Sequence, residues 1–237
     1  MQNNYYFLCR LVEELQHRVL SSKLFECYTQ NKNELVIAFN NEFVIKAYLD
    51  PSFCCLTFPS DHYRAKKNSV DIFNELVGRE VVAVTQFLNE RCFSITFLEQ
   101  YQLIFKMHGN RSNILLSHKN EIKAIFKNSL KKDFHLSINE LDRSIDQSFE
   151  NFESYGGEYQ QLFPTFGPIV KNYLIDREYQ TLKITERWSL VQEVIHAMNS
   201  GPFYVSDVSN TTHLCLIEIG NTMAQYESPT EAHNSIF

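Results

Sequence analysis

Between residues 4 and 20, "NYYFLCRLVEELQHRVL", apolar side chains recur at Phe7, Leu8, Leu11, Val12, Leu15, Val19 and Leu20, while Glu13, Glu14, Gln16, His17 and Arg18 fall largely opposite. Steps of three and four residues draw one apolar stripe, so the segment predicts an amphipathic helix lying on a core. The period then changes. Four short runs rich in β-branched and aromatic residues follow, "KLFECYTQ", "ELVIAFN", "EFVIKAYL" and "FCCLTF", with Asn-Lys-Asn and Asn-Asn between the first three. They predict an antiparallel meander joined by tight turns. Ser69 to Val77 predicts a second helix closed at Gly78. After it, "REVVAVTQFL", "RCFSITFL", "QLIFKMH" and "SNILLS" predict four more strands, and "EIKAIF" a fifth.

Beyond Lys132 helical periodicity takes over, in "LDRSIDQSFENFESY", "EYQQLF", "FGPIVKNYLI" and "ERWSLVQEVIHAMNS". Two short strands, "PFYVSD" and "HLCLIEI", and a tail, "SPTEAHNSIF", that opens like a capped helix complete the chain. The pattern predicts an α+β protein. Residues 1–135 form a helix-covered antiparallel β-sandwich with its N-terminal helix, and residues 136–237 form a helical lobe ending in a short α/β segment, with the boundary near 132–140.

Composition narrows the class. With 237 residues, 44% of them hydrophobic, the chain can bury a sizeable core. No run approaches the roughly 18 consecutive apolar residues of a membrane span, and "MQNNYYFLCRLVEELQ" lacks the features of a signal peptide, so a soluble cytoplasmic protein is expected. Six cysteines include no C-x-x-C pair. Reduced core thiols are therefore expected, with neither metal nor cofactor. G-x-G-x-x-G, P-loop, G-x-S-x-G and H-E-x-x-H motifs are all absent, which leaves nucleotide cofactors, hydrolase elbows and zinc proteolysis without support.

Charge changes the picture more. The net value is -6, yet residues 1 to 132 carry 17 Lys+Arg against 13 Asp+Glu, and the remainder 5 against 15. The basic excess peaks between Phe105 and Lys132, where Lys106, Arg111, Lys119, Lys123, Lys127, Lys131 and Lys132 face Glu121 alone. Such a segment suits a phosphate-binding surface, or equally a solvated strand edge kept from pairing by its lysines.

Within it, "KMHGNRSN" interrupts two apolar runs. Gly109 permits positive φ, and Asn110, Ser112 and Asn113 can bond their own backbone and leave N–H groups for an oxygen ligand. Arg111 supplies a guanidinium fork, with Lys106 and His108 beside it. A plain hairpin turn uses the same Gly and Asn. In "QFLNERCF", Glu90 beside Arg91 suits a guanidinium held in one orientation, or an ordinary turn ion pair. In "LFPTFGPIVKNYL", a short helix, the turn Thr165-Phe166-Gly167-Pro168 and a second helix resemble a helix-hairpin-helix over about 158–176, in which Phe166, Gly167, Pro168 and Lys171 would meet a sugar-phosphate backbone. A hairpin that only packs reads the same way.

In order, these stretches resemble the N-terminal domain of the NFACT family, the ribosome-quality-control proteins long called fibronectin- or fibrinogen-binding proteins. The family's Gln-x-x-x-Asp-Arg element is matched by Gln86 to Arg91, with Glu90 in place of Asp. Its Met-Gly-Arg-His-Ser-Asn-Ile-Ile-Leu element is matched by Met107 to Leu116, with one extra residue and with Asn110 and Arg111 where the family has Arg and His.

The resemblance implies a sandwich like the formamidopyrimidine-type glycosylase N-terminal domain. It also implies a non-catalytic RNA-binding role at Gln86, Glu90, Arg91, Lys106, His108, Gly109, Asn110, Arg111, Ser112 and Asn113, with tRNA and the large ribosomal subunit as partners and a ribosome-associated location. Family members continue into a coiled coil and a second RNA-binding domain, so the chain is expected to be part of a longer protein or a shortened homologue. Two rival functions follow. A glycosylase-like DNA-processing protein is opposed by the start Met1-Gln2, which lacks the exposed proline nucleophile, and a matrix adhesin by the lack of an export signal.

Overall fold

The computed structural model describes residues 3–236. Met1 and Gln2, on which the argument against glycosylase chemistry rests, and Phe237, the end of the closing tail, lie outside the described residues.

Helix α1 spans Tyr5–Val19, and Asn4 caps it by accepting the Tyr6 N–H on Oδ1 at 2.9 Å. The predicted stripe is the buried face except at Leu20, which lies past the helix end and is exposed: Phe7, Leu8, Leu11, Leu15 and Val19 are fully enclosed, each contributing about 1.5–3 kcal/mol by leaving water. Strands β1 (Leu24–Asn31), β2 (Glu34–Phe39), β3 (Val44–Leu49) and β4 (Cys54–Thr57) form the predicted meander. Strand β5 (Val70–Asp71) returns to β1, giving the order β4-β3-β2-β1-β5. The second sheet is a plain antiparallel meander, β6 (Val81–Gln86), β7 (Cys92–Phe97), β8 (Tyr101–Lys106), β9 (Asn113–His118) and β10 (Glu121–Ile125). Phe93 opposite Phe105 stacks across β7 and β8 at 4.4 Å between ring centroids.

The chain then runs through α2 (Phe149–Ser154), α3 (Tyr159–Leu162), α4 (Gly167–Asp176) and α5 (Ile184–Ser200). A third sheet of β11 (Phe203–Val208), β12 (Thr211–Cys215) and β13 (Asn221–Tyr226) has the order β12-β11-β13, and α6 (Pro229–Asn234) follows.

Three elements differ from the sequence pattern. Ser69–Val77 is not a helix: β5 and a 3-10 turn at Asn74–Leu76 occupy it, because Asn68 and Phe73 take left-handed φ of 61° and 57°, which breaks any helical run. Of residues 141–155 only α2 is helical, since the backbone before it is engaged elsewhere, Arg143 N–H donating to the Leu88 carbonyl at 2.9 Å. Strand β13 was not predicted, since its largely exposed residues at the sheet edge show no alternation.

One apolar cluster crosses the change in sequence character near residue 135. It joins Leu11 of α1, Leu35 of β2, Phe93 of β7, Phe166, Val191 of α5 and Phe203 of β11. The carboxy-terminal segment is locked back onto the amino-terminal one. Glu14 accepts hydrogen bonds from Ser228 Oγ at 2.8 Å and Thr230 Oγ1 at 2.6 Å, and Asn234 brackets Phe58 through both its N–H and its carbonyl. No helix among the described residues is long and apolar enough to cross a membrane.

Candidate functional site

Consecutive antiparallel strands place alternate turns at one end of a sheet, so the β6–β7 turn and the β8–β9 turn share a rim. Arg91 stands in the first turn and Arg111 in the second, and both line a cleft of about 640 Å³. The opposite wall is Pro164 to Ile169, the loop entering α4 together with its first residues, and Asn3, Asn4 and His213 close the sides. The two stretches singled out in the β-rich part and the one in the helical part therefore meet in one cavity.

The walls are held by named bonds. Asn4 Nδ2 donates to the carbonyls of Thr165 at 2.8 Å and Phe166 at 3.2 Å, tying the α4 entrance to the capped end of α1. The strap from Asp142 to Gln147 grips the β6–β7 turn: Leu88 N–H donates to Asp142 Oδ1 at 2.7 Å, and Asn89 Nδ2 to the Arg143 carbonyl at 2.8 Å. Gln147 reaches from Asn89 to the Leu162 carbonyl. This strap carries Arg143 into the cleft as a third guanidinium.

Electrostatically the cavity is cationic inside an acidic chain. Arg91 and Arg111 are exposed and have no ion-pair partner among the described residues; Arg143 is exposed and touches Glu90 Oε1 at 3.3 Å. Helix α4 has no side-chain cap, and Gly167, at φ +76°, and Pro168 begin it. Pro168 brings no N–H, so the Gly167 and Ile169 backbone, which lines the cleft, and the positive end of the dipole are what the helix start offers there, as in anion sites at helix amino ends.

Other expected contacts are structural. Lys106 is buried and ion-paired with Asp133, which also accepts from Asn113 Nδ2 at 2.8 Å; Asn113 Oδ1 takes the Lys127 N–H at 2.7 Å. Strand alternation turned these two side chains inward. Ser112 is fully buried, and Gln86 Nε2 closes the β6–β7 turn on the Phe87 and Glu90 carbonyls. Glu90 does not orient Arg91: its carboxylate lies between His108, at 3.1 Å, and Arg143, because adjacent residues in an extended turn point apart. The Gly109–Arg111 turn spends the Arg111 and Ser112 N–H groups on the His108 and Gly109 carbonyls. Gly109 and Asn110 remain at the surface, with φ +65° at Gly109. Phe166 is buried against Phe163, Tyr159 and Tyr6, and Lys171 faces a separate cavity with Leu174 and Ile175.

The basic excess of 105–132 is not one patch. Lys127 Nζ donates to the Leu49 carbonyl, Lys123 pairs with Glu121, and Lys119 sits in the β9–β10 turn at the far end of the sheet. Sequence reasoning missed Arg143, although it is the lone Lys or Arg between Lys132 and Lys171. It also missed His213, which carries no local signal.

One further group gathers beside the cleft: Glu90 and His108 line it, and Cys92 is fully buried behind them. Cys92 pairs opposite Lys106 across β7 and β8, which sets Glu90 opposite His108 at the open end of that ladder. His108 Nε2 lies 3.3 Å from Cys92 Sγ and 3.1 Å from Glu90 Oε2, and the three potential ligand atoms fall within 4.8 Å of one another. Burial pushes the Cys92 thiol up to about 12 and holds His108 below the usual imidazole range, Glu90 opposing the latter. These three residues have the chemistry to hold a metal, which linear spacing did not show.

Comparison with known proteins bears on the fold. No family model matches the sequence, and no curated protein matches it. Among solved structures, the fibrinogen-binding protein from Staphylococcus aureus superposes with a TM-score of 0.74 at 15% identity, over 100% of this chain and 99% of that one. The N-terminal part of the fibronectin/fibrinogen-binding protein from Streptococcus suis gives 0.71 at 15% identity, covering 98% of each chain. The N-terminal domain of the fibronectin-binding protein PavA from Streptococcus pneumoniae gives 0.58 at 16%, over 99% and 97%. The three-sheet α+β architecture is thus that of fibronectin/fibrinogen-binding protein N-terminal domains.

Proposed function

We propose that the cleft grips the sugar-phosphate backbone of a structured RNA of the tRNA class, met on a large ribosomal subunit. In this reading the chain is the non-catalytic RNA-binding module of an NFACT-type ribosome-quality-control factor in the cytoplasm. The observation that carries it is the convergence of Arg91, Arg111 and Arg143 on one wall with the uncapped α4 amino end on the other. A cavity with cations on one side and backbone N–H groups on the other binds phosphates by position and charge, without reading bases.

The α3–α4 pair then serves as the helix-hairpin-helix element through Gly167 and Pro168, and the sandwich is related in form to the formamidopyrimidine-glycosylase N-terminal domain. Lys106, Asn113 and Ser112 support the turn from beneath rather than touching RNA.

The test is fluorescence anisotropy of labelled tRNA against the purified chain over a salt series, with duplex DNA, fibronectin and fibrinogen as parallel arms. Fibronectin and fibrinogen enter because the structural neighbours bear their names. Binding of tRNA should weaken with a log-log slope of about two to three units, as expected for three phosphate contacts. A flat titration, or binding confined to the matrix proteins, would overturn the reading.

A further inference from the structure

The RNA-binding reading leaves the group of Glu90 and His108 in the cleft lining, with the buried Cys92 behind them, without a task. The geometry points to a binding site for one thiophilic divalent cation of the zinc class, held by Glu90 Oε2, Cys92 Sγ and His108 Nε2, with its fourth position open to the cleft.

A tetrahedral zinc ion with bonds of about 2.0–2.3 Å spaces its ligand atoms about 3.3–3.6 Å apart. The observed separations of 3.1 Å and 3.3 Å from Nε2 come within a few tenths of that. The set is preformed by the sheet: Glu90 and Cys92, two residues apart, lie on one side of the β7 line, and the β7–β8 register brings His108 across from them.

A nucleophilic Cys-His-acid relay does not fit, because thiol and carboxylate meet the same imidazole nitrogen instead of opposite ones. Thiol and carboxylate instead flank that nitrogen, and all three atoms lie within 4.8 Å of one another, a spacing a single cation can bridge. Glu90 is also fixed for the purpose, since Arg143 engages Oε1 and leaves Oε2 facing the imidazole.

The neighbouring positive charges do not forbid a cation. Lys106 is neutralised by Asp133, and Arg91 is exposed and free to extend into solvent. A cysteine ligand coordinates as thiolate, so the Cys92 sulfur gives its proton to solvent as the metal ion enters. Three protein ligands with an open position describe a zinc site that engages a further oxygen, from water or a phosphate, rather than one that braces a fold. The core is continuous without it. The site stands whether or not the cleft binds RNA.

The experiment uses the full chain stripped with a chelator and titrated with Co2+, then with Zn2+ in competition. One equivalent of cobalt should bind with a thiolate-to-cobalt charge-transfer band, and zinc should displace it. Cys92→Ser should abolish that band, and His108→Gln should weaken zinc binding by roughly 100-fold or more, ligand loss exceeding the effect of outer partners. Because Cys92 is wholly buried, Glu90→Gln at the half-buried rim tests the site without disturbing the core. A cobalt spectrum lacking the thiolate band, or zinc affinity unchanged in both His108→Gln and Glu90→Gln, would overturn the proposal. Binding of tRNA, measured separately with chelator present, does not enter the outcome.

Discussion

Two cation sets from the same stretch of sequence meet opposite fates. Arg111, at the tip of the β8–β9 turn, is exposed and without an ion-pair partner among the described residues, as is Arg91 in the neighbouring turn. Lys106, at the foot of that turn, is buried with Asp133, and Lys127 is spent on the Leu49 carbonyl. A run of lysines and arginines thus says nothing about which charges a ligand can reach. Place in the fold decides that: Lys106 ends a strand whose last residues are buried on both faces, while Arg111 closes the 3-10 turn beyond it, in solvent.

The comparison is broken most severely at its buried half. Lys106→Ala leaves Asp133 enclosed without its cation, and removing one member of a buried pair costs about 3–5 kcal/mol. Chemical denaturation should show that loss, while tRNA affinity per folded molecule stays as in the parent. If instead the variant keeps its stability and loses tRNA, Lys106 belongs with the ligand-binding set.

A third fate for a basic group is burial without charge. His233 lies between Phe7, stacked at 5.3 Å, and Phe58, and burial lowers its pKa to about 3. The unfolded chain takes up this proton near the ordinary pKa of about 6.5, so between those values the unfolded state binds more protons and stability falls as pH falls. From pH 7.5 to 5 this one group should remove about 2 kcal/mol. His233→Gln should flatten that part of the stability curve; an unchanged slope would place the titration elsewhere.

How much of this was legible follows the same physical line. The strands from Leu24 to Ile125 and the stripe of α1 show in the sequence because burial of one face imposes a period. The β5 region misled because Val70, Phe73 and Leu76 fall at helical spacing although the chain there reverses through left-handed Phe73. Edge strand β13, with little to bury, left no pattern. In the cleft, Arg91, Arg111 and Gly167 were found because turns announce themselves. Arg143 and the Glu90–Cys92–His108 group were not, since a strap and a strand register bring them together and neither is written in local spacing.

At the exposed half the effects are smaller. Arg91→Ala should weaken tRNA binding by about 1 kcal/mol, as for one phosphate hydrogen bond from an unsupported side chain, because Glu90 engages His108 and Arg143 instead of holding this guanidinium in place. Its melting temperature should match the parent, as surface changes usually stay within about 0.5 kcal/mol. A marked loss of thermal stability would make Arg91 structural and erase its contrast with Lys106.

The smallest change is expected at Arg111. Its turn is held by Asn113 and Lys106 from below, so Arg111→Ala should leave the backbone in place and remove one charge from the rim. One phosphate contact fewer lowers the log-log salt slope by about one unit, with little loss of affinity at high salt, where screening has already weakened the contact. Arg111→Lys should restore most of the slope, because a phosphate contact made through charge alone tolerates an ammonium in place of the fork. If lysine fails to rescue, the guanidinium geometry itself is being read, and Arg111 rather than Arg91 is the side chain that orients the ligand.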